Sequence, residues 1–182
     1  MYKKDDETVT LKIESKNKHL STQQIYNLLL LLDSEYLPLV KRIVAVENKW
    51  HSLIKFKLKK GILIHGICVL QAFQEKIAGF RCEEQIFLFP FIYNRYEKEG
   101  TMSEEAIKLD LVDTLYHEMR HLYQATYLHE RYMMAEKQYN IVSLDENYEE
   151  NWIEQDANRF AKKMIEQHQE KIQEILEIKE RA

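Results

Sequence analysis

Residues 111–127, LVDTLYHEMRHLYQATY, decide how the chain is organised. Within them His117-Glu118-Met119-Arg120-His121 follows the pattern H-E-x-x-H. Four residues is a little over one helical turn, so both imidazoles project from one face, close enough to bind a single metal ion. Glu118 points to the neighbouring edge of that face, where it could act on a metal-bound water without being a ligand. The helix is predicted independently of the motif. Leu109, Val112, Leu115, Tyr116, Met119, Leu122 and Tyr123 recur at three- and four-residue steps. Thr101 and Glu104, in capping-box spacing just after Gly100, supply its expected start.

Two histidines hold zinc weakly, and a catalytic site normally has three protein ligands with a fourth position open to water. The metzincin arrangement requires Gly at 124 and His at 127, where this chain has Gln124 and Tyr127; His129 is out of step with it. Glu154 is better placed. Glu154, Ala157, Asn158 and Ala161 fall on one face of a second predicted helix, and the two alanines let helix backbones approach closely. That approach would bring a short carboxylate side chain within about 2 Å of a metal held by the first helix. Asn158, one turn on, could reach a ligand histidine and fix its ring nitrogen.

The HEMRH run followed 33 positions on (121 to 154) by EQDANRFA resembles the gluzincin group of zinc peptidases, whose second helix carries Glu-x-x-Ala-(Asp/Asn)-x-x-Ala. The likeness is to the ImmA/IrrE-type peptidases of bacteria and their mobile elements, and a similar arrangement occurs in CAAX prenyl proteases. It covers residues 110–165. The resemblance implies a zinc-dependent peptidase acting on a protein or peptide, with His117, His121 and Glu154 as ligands, Glu118 as general base, and Asn158 supporting a ligand from behind. It also implies a zincin-like α+β fold, a small sheet packed on the H-E-x-x-H helix with a second ligand-bearing helix after it. Arg120 departs from the likeness, standing where ImmA-like peptidases usually have Gly or another small residue, and no helix-turn-helix segment is evident.

In such a site zinc acidifies its water while Glu118 accepts the proton and passes it to the leaving amine. Tyr127, Tyr148 and His129 are all available as donors to the carbonyl oxygen, and the sequence does not choose among them. Asp113, one turn before His117, either orients that imidazole or is an ordinary surface carboxylate. A second function fits the same ligands: a catalytically silent zinc-binding module of the same fold that acts through protein contacts. Retention of Glu118 favours the enzyme, because a structural zinc site has no use for a base and usually closes with Cys or His.

Before this region the chain alternates strand and helix signals. Thr8 to Ile13 alternates like a strand, and Ser21 opens a Leu-rich helix expected to run to Tyr36, with Leu28 to Leu32 in the core. Lys41 to Val46 and Leu53 to Leu58 read as strands, and Ile62 to Leu70 as a strand more than a buried helix. His51 and His65 have no partner at ligand spacing and read as structural residues. Gln85 to Tyr93 is strand-like but interrupted by Pro90, so it must lie at an edge or finish near the proline. An edge there would be open to an extended peptide, or simply short and protected.

After the metal helix, His129 to Tyr139 continues as helix and Asn140 to Asn147 connects. A last helix is expected from a cap at Asn147 and Glu150, ending in a solvated amphipathic tail. At 182 residues and 45% hydrophobic, the chain is expected to form one domain, 1–182, with an N-terminal α/β part (1–100) and a metal-binding helical part (101–182). A net charge of −4 gives no reason to expect nucleic acid as partner. No apolar run approaches a membrane span, and the start MYKKDDET does not read as a signal peptide. Cys68 and Cys82, not in a C-x-x-C, read as reduced core thiols, and a cytoplasmic protein is expected.

Overall fold

A computed structural model of the chain describes residues 11–46, 48, 74, 77–138 and 151–178. Four short strands form one mixed sheet: β1 (Lys12–Ser15), β2 (Arg42–Ala45), β3 (Gly79–Cys82) and β4 (Gln85–Leu88), in the order β1-β2-β4-β3. β1, β2 and β4 are parallel, with Ile13, Ile43 and Ile86 in one row, and β3 returns antiparallel to β4. A parallel pair needs a crossover connection. Between β1 and β2 that crossover is α1 (Thr22–Leu29).

α1 begins where the sequence predicts. The Ser21 side chain accepts from the Gln24 backbone N–H, and the Gln24 side chain accepts from the Ser21 N–H, a complete capping box. Its end differs, since the helix stops at Leu29 rather than Tyr36. Leu30 is exposed, whereas Leu28, Leu29 and Leu32 are buried, so the leucine run covers one side of the core. A turn at Asp33 to Tyr36 and a 3-10 turn, Leu37–Leu39, carry the chain into β2. Pro38 in that turn lacks the N–H that a continuing helix would need.

β4 ends at Leu88, two residues before Pro90, and a 3-10 turn Pro90–Tyr93 follows. Of the two placements open to this stretch, the structure adopts the early finish. β4 is interior and buried on both faces, as parallel strands with covered faces are. The edge placement, the other of the two, is not adopted: among the described residues the outer strands of the sheet are β1 and β3.

Helix α2 (Asn94–Glu99) ends at Gly100, which adopts the left-handed φ of 66°. Helix α3 (Glu104–Tyr127) starts at Ser103, whose hydroxyl accepts from the Ala106 N–H. The expected cap, Thr101, instead donates its hydroxyl to the Tyr96 carbonyl and closes α2. α3 lies on β3 and β4 at very close range. A Cβ on Gly79 would stand 2.7 Å from Thr114 Cγ2 and 2.9 Å from the Phe87 carbonyl oxygen, so only glycine fits there.

α4 (His129–Gln138), α5 (Trp152–Gln167) and α6 (Gln169–Ile175) complete the described chain. α5 is capped by Asn151, which accepts from the Ile153 N–H, rather than by Asn147, which lies outside the described residues. The expected solvated tail is also corrected. Ile172 and Leu176 are fully buried, Gln24 of α1 donates to the Ile175 carbonyl, and Lys108 of α3 donates to that of Leu176. Bonds from Ile178 N to Gln173 O and from Glu177 N to Glu174 O, with Glu177 at φ 56°, close α6 as a Schellman motif.

The class is thus α+β, with α3 between the sheet and α5. No described helix is long and apolar enough to cross a membrane. Cys82 is half-buried, and burial pushes its thiol up. The strand readings at 53–58 and 62–70, and those of His51, His65 and Cys68, lie outside the described residues.

Candidate metal centre

The helical repeat of α3 sets His117 and His121 one turn apart, with their rings perpendicular and centroids 4.5 Å apart. α5 runs alongside, and Ala157 and Ala161, both fully buried, allow the close approach that their size predicts. Glu154, in the first turn of α5, then reaches across. Its Oε2 lies 3.1 Å from His117 Nε2 and 3.5 Å from His121 Nε2, and the two Nε2 atoms are 2.9 Å apart. The ligand-type atoms of all three residues lie within 4.8 Å of one another, so this group could hold a metal ion.

Both rings are held from behind. Asn158 Oδ1 is 2.8 Å from His117 Nδ1, and Gln124 Oε1 is 2.9 Å from His121 Nδ1. A neutral ring whose Nδ1–H meets an amide oxygen in this way turns its Nε2 lone pair inward. Two lone pairs and a carboxylate oxygen then converge in a space largely closed to water. Such an arrangement repels itself until a positive charge, either a metal ion or a proton on a ring nitrogen, lies among the three atoms.

The electrostatics run the same way. Burial would push the Glu154 carboxyl up, but the two imidazoles within 3.5 Å of it outweigh that and hold it well below the usual carboxylate range. Burial would lower the His117 ring, yet Glu154 and Glu118 beside it raise it, so positive charge is favoured at this point. Glu118 is different: it is 7% exposed, and burial, with the Glu154 charge adding to it, pushes its carboxyl up against the opposing charges of the two imidazoles and Arg81.

Other residues singled out in the sequence fall elsewhere. Asp113 is not the group that orients His117, because Asn158 occupies the ring nitrogen it would need; burial pushes the Asp113 carboxyl up. Tyr127 is 53% exposed and packs on Tyr123, and His129 Nδ1 donates to the Ala125 carbonyl at the end of α3. Tyr148 lies outside the described residues. Arg120 turns away from the histidines. Its Nε donates to Asp156 at 2.7 Å and its Nη1 to the Tyr36 hydroxyl at 2.8 Å, over the rings of Tyr123 and Phe160.

The sequence reading missed Gln124, Asp156 and Tyr36. A signal existed for the first two: Gln124 is three residues past His121 on the same helix, and Asp156 is two past Glu154. Tyr36 is 84 positions from Arg120 and carried none. Compared with known proteins, the chain matches no family model, no curated protein and no solved structure.

Proposed function

We propose that the protein is a zinc-dependent peptidase of zincin-like fold in which His117, His121 and Glu154 hold the metal and Glu118 is the general base. The observation that carries this is the convergence of three electron-rich atoms with 2.9, 3.1 and 3.5 Å between them. Ligands at zinc's usual bond lengths of about 2.0–2.1 Å in a tetrahedron would be about 3.3 Å apart, so the cradle fits that ion before it binds. Two nitrogens and one oxygen are also a catalytic zinc set, which leaves the fourth position open. The gluzincin-type pairing of H-E-x-x-H with Glu-x-x-Ala-Asn supports the same reading.

When bound, zinc supplies Lewis acidity, easing loss of a proton from water and polarising a carbonyl. Glu118 takes that proton as the water attacks the peptide carbon, and returns it to the amine nitrogen as the carbon–nitrogen bond breaks. A carboxyl whose burial raises its proton affinity suits both halves of the transfer. Asn158 and Gln124 keep the imidazoles aligned, so little reorganisation is needed during the reaction.

The test separates metal from chemistry. Wild type should bind one zinc per chain and cleave members of a fluorogenic peptide library. His117→Ala and Glu154→Ala should lose the zinc, and Glu118→Gln should keep it while cleavage falls by about 100-fold or more. Undiminished cleavage by Glu118→Gln would end the enzyme assignment. Zinc bound with no cleavage by wild type would favour the silent zinc-binding module.

A further inference from the structure

Gln124 is fully buried, so its amide must find every partner within the protein. Its Nε2 donates to the Ile153 carbonyl at 2.9 Å and to Asp156 Oδ2 at 2.8 Å. Neither partner can donate in return. A carbonyl oxygen has no proton, and the Asp156 carboxylate already accepts from Arg120, from Nε at 2.7 Å and from Nη2 at 3.4 Å. The amide therefore has one workable orientation, with both N–H groups toward α5 and Oε1 toward His121. Only an N–H can meet that oxygen, so His121 must carry its ring proton on Nδ1.

We infer that Gln124 is a positioning residue that fixes His121 in the metal-binding tautomer before any metal arrives, and that Asp156, Arg120 and Tyr36 lock Gln124 in place. The inference deepens the proposed zinc site and rests on that reading for its consequence, though not for the tautomer itself. Neutral histidine free in water favours the proton on Nε2, the nitrogen that the site needs bare, so this tautomer has to be imposed. The lock is well built. Arg120 lies over the rings of Tyr123 and Phe160 at 4.6 and 5.2 Å, and Tyr36 stacks on the same two rings at 5.0 and 5.1 Å while accepting from Arg120 Nη1.

The two histidines thereby differ. His117 leans on Asn158, which is exposed, so that amide can turn over with water as its alternative partner. Gln124 has no such freedom. His121 is therefore the ligand whose tautomer is fixed from within the core.

The experiment is long-range proton–nitrogen NMR on the full chain labelled with 15N-histidine, stripped of metal and held at a pH where both rings are neutral. The expected signature is Nδ1–H for His121, unchanged when zinc is added. Gln124→Leu should lose that preference and bind zinc about 10- to 100-fold more weakly, the usual range for removing a ligand's supporting partner. His121 protonated on Nε2 in metal-free wild type would overturn the inference, as would a folded Gln124→Leu variant with unchanged tautomer and zinc affinity. If Gln124→Leu does not fold, the wild-type spectrum decides alone. Wild type with the expected tautomer but no affinity for zinc would sink the metal reading and leave the tautomer lock standing.

Discussion

Glu118 and Glu154 are both buried carboxylates close to the same two imidazoles, and their surroundings drive them apart. Burial pushes each up, but Glu154 lies against both rings and ends low, whereas Glu118 stays raised. One is thus suited to ligation and the other to carrying a proton. Asp156, in the lock behind His121, offers a stability test. Burial would raise it, but Arg120 and Gln124 outweigh burial and hold it below its ordinary value of 3.8. A lowered folded value means the stabilisation is complete above the unfolded value and fades as pH falls through the folded one. Chemical denaturation between pH 7 and pH 2 should show wild type losing this contribution below pH 3.8, and Asp156→Asn showing no matching loss. Arg120→Ala should cost roughly 1–3 kcal/mol at pH 7, since it leaves a partly buried carboxylate short of its donors. At this scale the sequence disclosed residues that share one helical face, His117 with His121 and Glu154 with Asn158. It did not disclose Tyr36, whose place depends on where α1 stops.

Among the elements, α3 was the most legible, because its apolar period and its motif agree along the same stretch. Its neighbours were less so. Gly79 gave no signal in the sequence, yet it lets the helix and the outer strand touch at Thr114. Gly79→Ala should destabilise by about 1–3 kcal/mol, because the Phe87 carbonyl oxygen cannot move aside without disturbing the hairpin. Equilibrium unfolding in urea measures this directly. The end of the chain misled for a clear physical reason. Its Glu and Lys residues mark a solvated face, but Ile172 and Leu176 mark a second face that α1 and α3 cover. Ile172→Ala should therefore cost about 2–5 kcal/mol, where a solvated position would cost under about 0.5.

Across the whole molecule, the sheet order β1-β2-β4-β3 could not be read from strand signals, because parallel pairing is a matter of which crossovers pack together. That order sets β3 and β4 under α3, while Tyr36 and α6 brace the helical layer from elements far off in sequence. The centre is thus supported from both ends of the described chain. A ligand that binds only the folded form stabilises it by mass action, about 2.7 kcal/mol at a concentration 100 times its Kd. Zinc at that level should raise Tm by roughly 5–10 °C over the chelated protein, as scanning calorimetry would show. Whether one zinc ion lies among His117, His121 and Glu154 is seen without intermediary by anomalous diffraction at the zinc edge. Crystals grown with zinc should show a single peak within about 2.0–2.3 Å of His117 Nε2, His121 Nε2 and a Glu154 oxygen. A map with no peak there, or with Glu154 turned away from the two imidazoles, would contradict the proposed zinc site.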